Sequence, residues 1–211
     1  MEEYLVPSGY GEDMFLEKKS RFIGRVWYVE SEAEALARIQ EMKKQHYDAT
    51  HNCWAYILRD GPVRFSDDGE PGGTAGMPML QVLQREELYN VVCVVTRYFG
   101  GILLGAGGLV RAYTRGAKIA ADAAGKSVKR VWTALYVPCP YPFYERIKLL
   151  IAAQGGIIRK TDFTSEVELE VLVPEKQTEP FSAALTELSA GTVEAMELGQ
   201  EYRAFPVKKD T

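Results

Sequence analysis

The feature that most constrains this chain is the run Val91 to Thr96, which is nearly all apolar and rich in β-branched residues. A half-exposed strand alternates apolar and polar residues; a run without alternation is a strand buried on both faces. It ends in Arg97-Tyr98-Phe99-Gly100-Gly101, and after Gly107-Gly108 the pattern predicts a helix over 109–124 that stops at Gly125. Glycine at that position suits the left-handed turn that ends many helices. Leu109, Tyr113, Ala117, Ala120 and Ala124 share one face of this helix, while Arg111, Arg115, Lys118 and Asp122 share the other.

Upstream, residues 15–29 are predicted as two short strands, a hairpin broken near Lys18-Lys19-Ser20. Ser31 and Glu34 have the spacing of a capping box, each side chain satisfying an otherwise orphan N–H at the start of a helix. Leu36, Ile39 and Met42 follow as its expected buried stripe. Residues 51–58 read as a strand with Cys53 and Ala55 on one face and Trp54 and Tyr56 on the other. The segment from Asp67-Asp68-Gly69-Glu70 to Gly76 is a turn-rich loop. It leads into a short helix expected to begin near Pro78, where proline's fixed φ suits the first turn.

Lys126 to Arg130 is read as a junction, because a complete second unit follows. Its order is a strand at 132–139, a helix at 142–153 with Ile147, Leu150 and Ile151 inward, and a strand at 157–162. Val167, Leu169, Val171 and Val173 then alternate with Glu166, Glu168, Glu170 and Leu172, the mark of a half-buried strand with a mostly acidic outer face. A helix at 180–189 and a strand around 192–198 complete a β-α-β-β-α-β order, the ferredoxin-like pattern. The expectation is an α+β chain of two domains, 1–130 and 131–211.

With 211 residues the chain is long enough for two cores. Its 46% hydrophobic and 26% charged residues are those of a globular protein. The three cysteines, Cys53, Cys93 and Cys139, are odd in number and far apart, so free buried thiols in a reducing compartment are expected rather than disulfides or a zinc ribbon. The acidic start Met1-Glu2-Glu3 lacks the basic and apolar pattern of a signal peptide, and no apolar run approaches a membrane span. A cytoplasmic location without membrane contact is the expectation.

The net charge is −4, yet residues 97–130 carry seven basic groups against Asp122 alone, a net of +6. A strand, a glycine-rich turn and a helix in sequence gather backbone N–H groups at the positive end of the helix dipole, a place that suits phosphate or another anion. The candidate anion or nucleic-acid site is therefore Arg97, Gly100, Gly101, Gly105, Gly107, Gly108, Arg111, Arg115 and Lys118. The spacing fits neither a Walker loop nor a dinucleotide fingerprint, and glycines that only allow close packing are the competing explanation. A secondary candidate is His51, Asp67, Asp68 and Glu70. Its carboxylates do not have calcium-loop spacing, and His51 and Cys53 stand roughly 7 Å apart on a strand, too far for a direct bond. No metal-ligand set, cofactor motif or nucleophile elbow is present, so no catalytic residue is assigned and a binding role ranks above catalysis.

The run from Val94-Val95-Thr96-Arg97 to Gly105 resembles the signature of the YigZ/IMPACT family. Ser20-Arg21-Phe22-Ile23, Thr50-His51-Asn52-Cys53-Trp54-Ala55-Tyr56 and the 67–76 loop resemble the family's other blocks, in order. The resemblance is strong over 1–130, and 131–211 resembles the small C-terminal domain of bacterial members. It implies an N-terminal domain similar to the second domain of ribosomal protein S5, a β-α-β-α arrangement with a left-handed crossover. It also implies a ferredoxin-like C-terminal domain, the pair being similar to neighbouring domains of elongation factor G. Eukaryotic relatives regulate translation by competing for an activator of a starvation-responsive kinase, but they carry a different accessory domain. Some relatives carry the label proline dipeptidase, which the poor ligand inventory here does not support. The resulting expectation is a translation-associated regulator that binds RNA or a ribosome-associated partner. A protein-interaction module using the acidic C-terminal sheet face, or an enzyme using 51–76, are the open alternatives.

Overall fold

The apolar run is the middle strand of a five-stranded sheet in the computed structural model, which describes residues 3–207. The described residues form two compact units, one of 4–128 with 204–207 and the other of Glu3 with 129–203. The first contains, in chain order, β1 (Tyr4–Pro7), β2 (Gly11–Glu17), β3 (Ser20–Tyr28), α1 (Glu32–Gln45), β4 (His51–Ile57), β5 (Val63–Ser66), α2 (Gly76–Arg85), β6 (Val91–Tyr98) and α3 (Ala106–Ala124). Its sheet runs β2-β3-β6-β4-β5, and each neighbouring pair is antiparallel. The two-sided burial has a simple source. Val91, Cys93 and Val95 face a core shared with α2 and α3, whereas Val92 and Val94 face α1 through Ala35, Ile39 and Met42.

Local chemistry explains where the helices depart from expectation. Ser31 caps α1 by accepting from the Glu34 N–H at 3.2 Å, but the Glu34 carboxylate reaches back to the Glu30 N–H at 2.8 Å rather than to Ser31. Leu36 is exposed, and Ala35 takes its place in the buried stripe. Ala35, Ile39 and Met42 are spaced by four and three residues, while Leu36 lies about 100° further round the helix. α2 starts at Gly76, two residues before Pro78, because Asp67 acts as a remote cap. Its carboxylate accepts from the N–H groups of Gly73 at 2.9 Å, Ala75 at 3.0 Å and Gly76 at 2.8 Å. α3 starts at Ala106, so Gly107 and Gly108 lie inside its first turn; Gly105, with φ +73°, makes the reversal before it.

α3 lies on the sheet with almost nothing between the backbones. A Cβ at Gly24 would sit 2.0 Å from the Gly116 carbonyl oxygen, and one at Gly11 would sit 2.1 Å from the Ala124 nitrogen. Glycine inside a strand commonly marks such a close approach.

The second unit is built from β7 (Lys126–Cys139), α4 (Tyr144–Ala153), β8 (Ile157–Phe163), β9 (Val167–Pro174), α5 (Thr178–Ser189) and β10 (Met196–Pro206). β8 and β9 pair antiparallel, as do β9 and β7, and β10 pairs with β7. The order β10-β7-β9-β8 is the ferredoxin-like arrangement. Lys126 to Arg130 is the start of β7, and the division between the two units falls inside it, after Val128. Its backbone is paired, Lys126 O accepting from Val207 N at 2.9 Å, and buried Ser127 bonds the Ser8 hydroxyl at 2.8 Å. β10 begins four residues later than predicted, since Thr192 and Val193 are used to close α5 through Ser189. The core of this unit gathers Ile147, Ile151, Leu169, Val171, Phe181 and Leu185. Among the described residues no helix is long and apolar enough to cross a membrane.

Two consequences are measurable. Gly24→Ala is expected to destabilise the chain by at least about 2 kcal/mol, the scale of forced overpacking. Gly9→Ala, where a Cβ meets nothing within 4 Å, serves as control. Equal urea midpoints for the two variants would refute the direct backbone contact. Burial pushes the Asp67 carboxyl up, but its three backbone donors together hold it below the ordinary carboxylate value. Its stabilising contribution is therefore complete at neutral pH and disappears as pH falls through the folded-state value. Asp67→Asn should cost about 1 kcal/mol at pH 7, the difference between charged and neutral acceptors. The gap from wild type should narrow in acid; a gap that is constant with pH would exclude a carboxylate cap.

Candidate functional site

β6 leaves the sheet at Tyr98, and the chain must turn sharply before re-entering as α3. Gly100 permits the turn to press against the β2–β3 hairpin: a Cβ there would lie 2.0 Å from the carbonyl carbon of Lys19. Its N–H donates to the Ser20 hydroxyl at 3.1 Å. Gly101 and Gly105 adopt φ of +83° and +73°, which L-residues rarely adopt. At Gly108 a Cβ would press on the Leu104 side chain at 3.0 Å, and Gly107 is exposed on the first turn of α3. The hairpin opposite presents Lys18 and Lys19, both at positive φ.

The single anion site expected from sequence divides in space. Arg97 belongs to a cavity of about 350 Å3 on one side of Leu104. Arg111 and Arg115 belong to a groove of about 170 Å3 on the other.

In the cavity, Arg97 is no surface phosphate ligand. It is 5% exposed, and its Nη1 donates to Glu70 Oε1 at 2.7 Å. Its guanidinium lies 5.5 Å from the ring centroids of Phe22 and of Phe99. The same Glu70 oxygen accepts from the Tyr113 hydroxyl at 2.8 Å, and Glu70 Oε2 faces His51 Nε2 at 3.8 Å. Burial pushes the Tyr113 phenol far above its ordinary value, so it stays protonated and donates to Glu70. The two candidate regions are thus one constellation: β4 and β6 place His51 opposite Arg97, and the loop brings Glu70 between them. His51 Nδ1 lies 2.7 Å from the Asp68 carbonyl, an acceptor, so this nitrogen carries the proton.

Asp67 and Asp68 do not join them. Asp67 caps α2, and Asp68 accepts from Lys43 at 2.6 Å and from the Asn52 N–H at 2.7 Å. Among the described residues no group of three or more His, Cys, Asp or Glu is placed to hold a metal ion. Cys53 points into the core beneath α3 and donates to the Asp67 carbonyl at 3.0 Å. Burial raises its thiol well above the ordinary value, which leaves little nucleophilic thiolate.

The groove gathers Lys18, Arg111 and Arg115 beside Phe15, Glu17 and Leu104. Arg111 and Arg115 are one turn apart on the exposed face of α3, and the Arg115 guanidinium lies 4.3 Å from the Phe15 ring centroid. None of the three cations forms a salt bridge among the described residues. Lys118 is placed differently: it bonds Asp122 and lies 3.4 Å from Glu86. Sequence reasoning missed Lys18, whose signal was the lysine pair in the hairpin turn. It also missed Phe99 and Leu103, apolar residues that line the cavity mouth.

This geometry sits inside a recognisable sequence family. Residues 18–121 match the Impact N-terminal domain, and residues 137–192 match a domain of unknown function, DUF1949. IMPACT family member YvyE of Bacillus subtilis (strain 168) is 39% identical over 193 residues, covering 90% of this chain and 89% of the relative. IMPACT family member YigZ of Escherichia coli (strain K12) is 35% identical over 200 residues, covering 93% and 98% respectively. A crystal structure of a hypothetical protein is 35% identical and superposes with a TM-score of 0.59, covering 94% of this chain and 98% of that one. With identity of this level spanning both units, the chain belongs to the IMPACT family.

Proposed function

We propose that this chain is a translation-associated regulatory protein that binds RNA or a ribonucleoprotein through the groove of Lys18, Arg111 and Arg115. The observation that carries the reading is the convergence of three cations on one groove, none of them paired with a carboxylate among the described residues. Guanidinium groups match phosphate oxygens in fork geometry, and Phe15 beneath Arg115 holds one of them extended. Membership of the IMPACT family supports the link to translation. The contact set differs from the sequence-based one for physical reasons. Arg97 and Lys118 leave it because each already has a carboxylate partner, and Lys18 enters it from the neighbouring hairpin.

A protein partner on the acidic face of β9 is less favoured, since that face is partly neutralised within its own sheet. Arg159 donates to Glu170 at 2.7 Å, and Lys160 pairs with Asp162 at 2.6 Å on the adjacent strand.

Phosphate binding releases counterions, so affinity for a single strand falls with salt by a slope of about −0.7 per neutralised phosphate. Titration of labelled single-stranded RNA at two salt concentrations should therefore show weaker binding at the higher one. The Lys18→Ala/Arg111→Ala/Arg115→Ala variant should bind at least about tenfold more weakly and lose about 2 from the salt slope. Lys118→Ala should behave as wild type. Equal affinities for wild type and the triple variant at both salts would defeat the proposal.

A further inference from the structure

The cavity on the other side of Leu104 has a chemistry of its own. We infer that it binds a small organic monocarboxylate with an aliphatic or aromatic body, independently of the cationic groove.

The polar end of the cavity sets the Arg97 guanidinium and the N-terminus of α3 beside the Glu70 carboxylate. Arg97 is buried, and its Nε–H has no hydrogen-bond partner among the described residues. A buried donor without an acceptor is unfavourable, so the guanidinium is not saturated by its own protein partners. Beside it, Gly105 and Ala106 place the N-terminus of the 19-residue helix α3 at the cavity wall. The N–H groups of Ala106, Gly107 and Gly108 have no intrahelical acceptor, Gly105 has no side chain to cap them, and the first turn holds no acidic residue. A Cβ at Gly105 would meet nothing within 4 Å, so the space over this end is open. A buried guanidinium and a helix terminus line the same volume.

The charge balance sets the valence of the ligand. The positive charge of Arg97 is offset by Glu70 at 2.7 Å, which leaves the partial positive charge of the helix end, about half an elementary charge. One negative charge is matched there; a phosphate dianion would instead meet the Glu70 carboxylate. The rest of the wall is apolar. Phe99, Leu103, Leu104 and Leu109 line it, and Phe99 and Leu103 stand 45% and 81% exposed at its mouth, where an apolar body would cover them. At about 350 Å3 the cavity lies at the lower end of the roughly 300–1,000 Å3 range of small-molecule pockets.

The test uses the full chain, with 4-phenylbutyrate as probe and 4-phenylbutyramide as its neutral isostere, followed by calorimetry and by amide chemical shifts. The acid should bind with shifts centred on Phe99 to Leu109, and the amide at least about tenfold more weakly, because it lacks the charge that matches the donors. Ala106→Glu puts a carboxylate on an exposed first-turn position where it favours the helix, so folding is retained. That variant should weaken acid binding at least about tenfold through like-charge repulsion. Arg111→Ala/Arg115→Ala should leave acid binding unchanged, which separates this site from the groove. No binding of the acid at millimolar concentration, equal affinity for acid and amide, or full acid binding by Ala106→Glu would each overturn the inference.

Discussion

The closeness of α3 to the sheet governs both sites. Where Gly11 and Gly24 meet the helix backbone there is no side-chain layer to absorb a shift, so the helix has one available depth and rotation. Beyond Leu109 and Tyr113 the buried face of α3 is accordingly small: Ala112, Gly116, Ala117, Ala120, Ala121 and Ala124. With the rotation set, Tyr113 must point at Glu70, and Arg111 and Arg115 must emerge beside Phe15 and the β2–β3 hairpin. Protein interiors transmit such constraints because they are packed as densely as organic crystals. A helix resting on large side chains could slide; this one cannot without backbone collision.

The Arg97–Glu70 pair is the second fixed point, and it ties the end of β6 to the 67–76 loop and to α3. Both partners are nearly inaccessible, so removal of either leaves an uncompensated buried charge, a loss of about 3–5 kcal/mol. The pair is incomplete in an informative way. Glu70 takes two donors at one oxygen, while the Arg97 Nε–H has no partner among the described residues. A purely structural ion pair has no need of a cavity beside it or of an open helix end.

Most of the architecture was legible in the sequence because it is written in local periodicity. The unbroken apolar run marked the buried strand, the alternation of Val167 to Val173 marked β9, and the β-α-β-β-α-β order marked the ferredoxin-like sheet. Boundaries were lost where a distant group decided them. Asp67 starts α2 from nine residues before Gly76, Ser189 withholds Thr192 and Val193 from β10, and Ala35, in phase with Ile39 and Met42, takes the place of Leu36 in α1. The strand glycines were present in the sequence, but nothing local shows that Gly24 faces a helix backbone. For the site, the residues of both candidate regions were visible, yet their union was not. The pairing of His51 with Arg97 is a matter of strand register, and the reach of Glu70 is a matter of loop conformation.

Charge shows the same limit most clearly. Counted along the chain, residues 97–130 hold a net +6; counted in space, three carboxylates from outside the window offset half of that excess. Arg97 is matched by Glu70, Lys118 by Asp122 and Glu86, Lys126 by Glu86 at 2.8 Å, and Arg130 by Glu3 at 3.5 Å. All of these carboxylates except Asp122 come from outside the window. Arg111 and Arg115 have no carboxylate partner among the described residues, and Lys18 joins them from some ninety residues upstream. The field that results is local, because exposed charges are screened beyond a Debye length of about 8 Å at physiological salt. A partner recognised by this surface must therefore touch the groove between the hairpin and α3, since little of the apparent positive charge of the segment reaches beyond it.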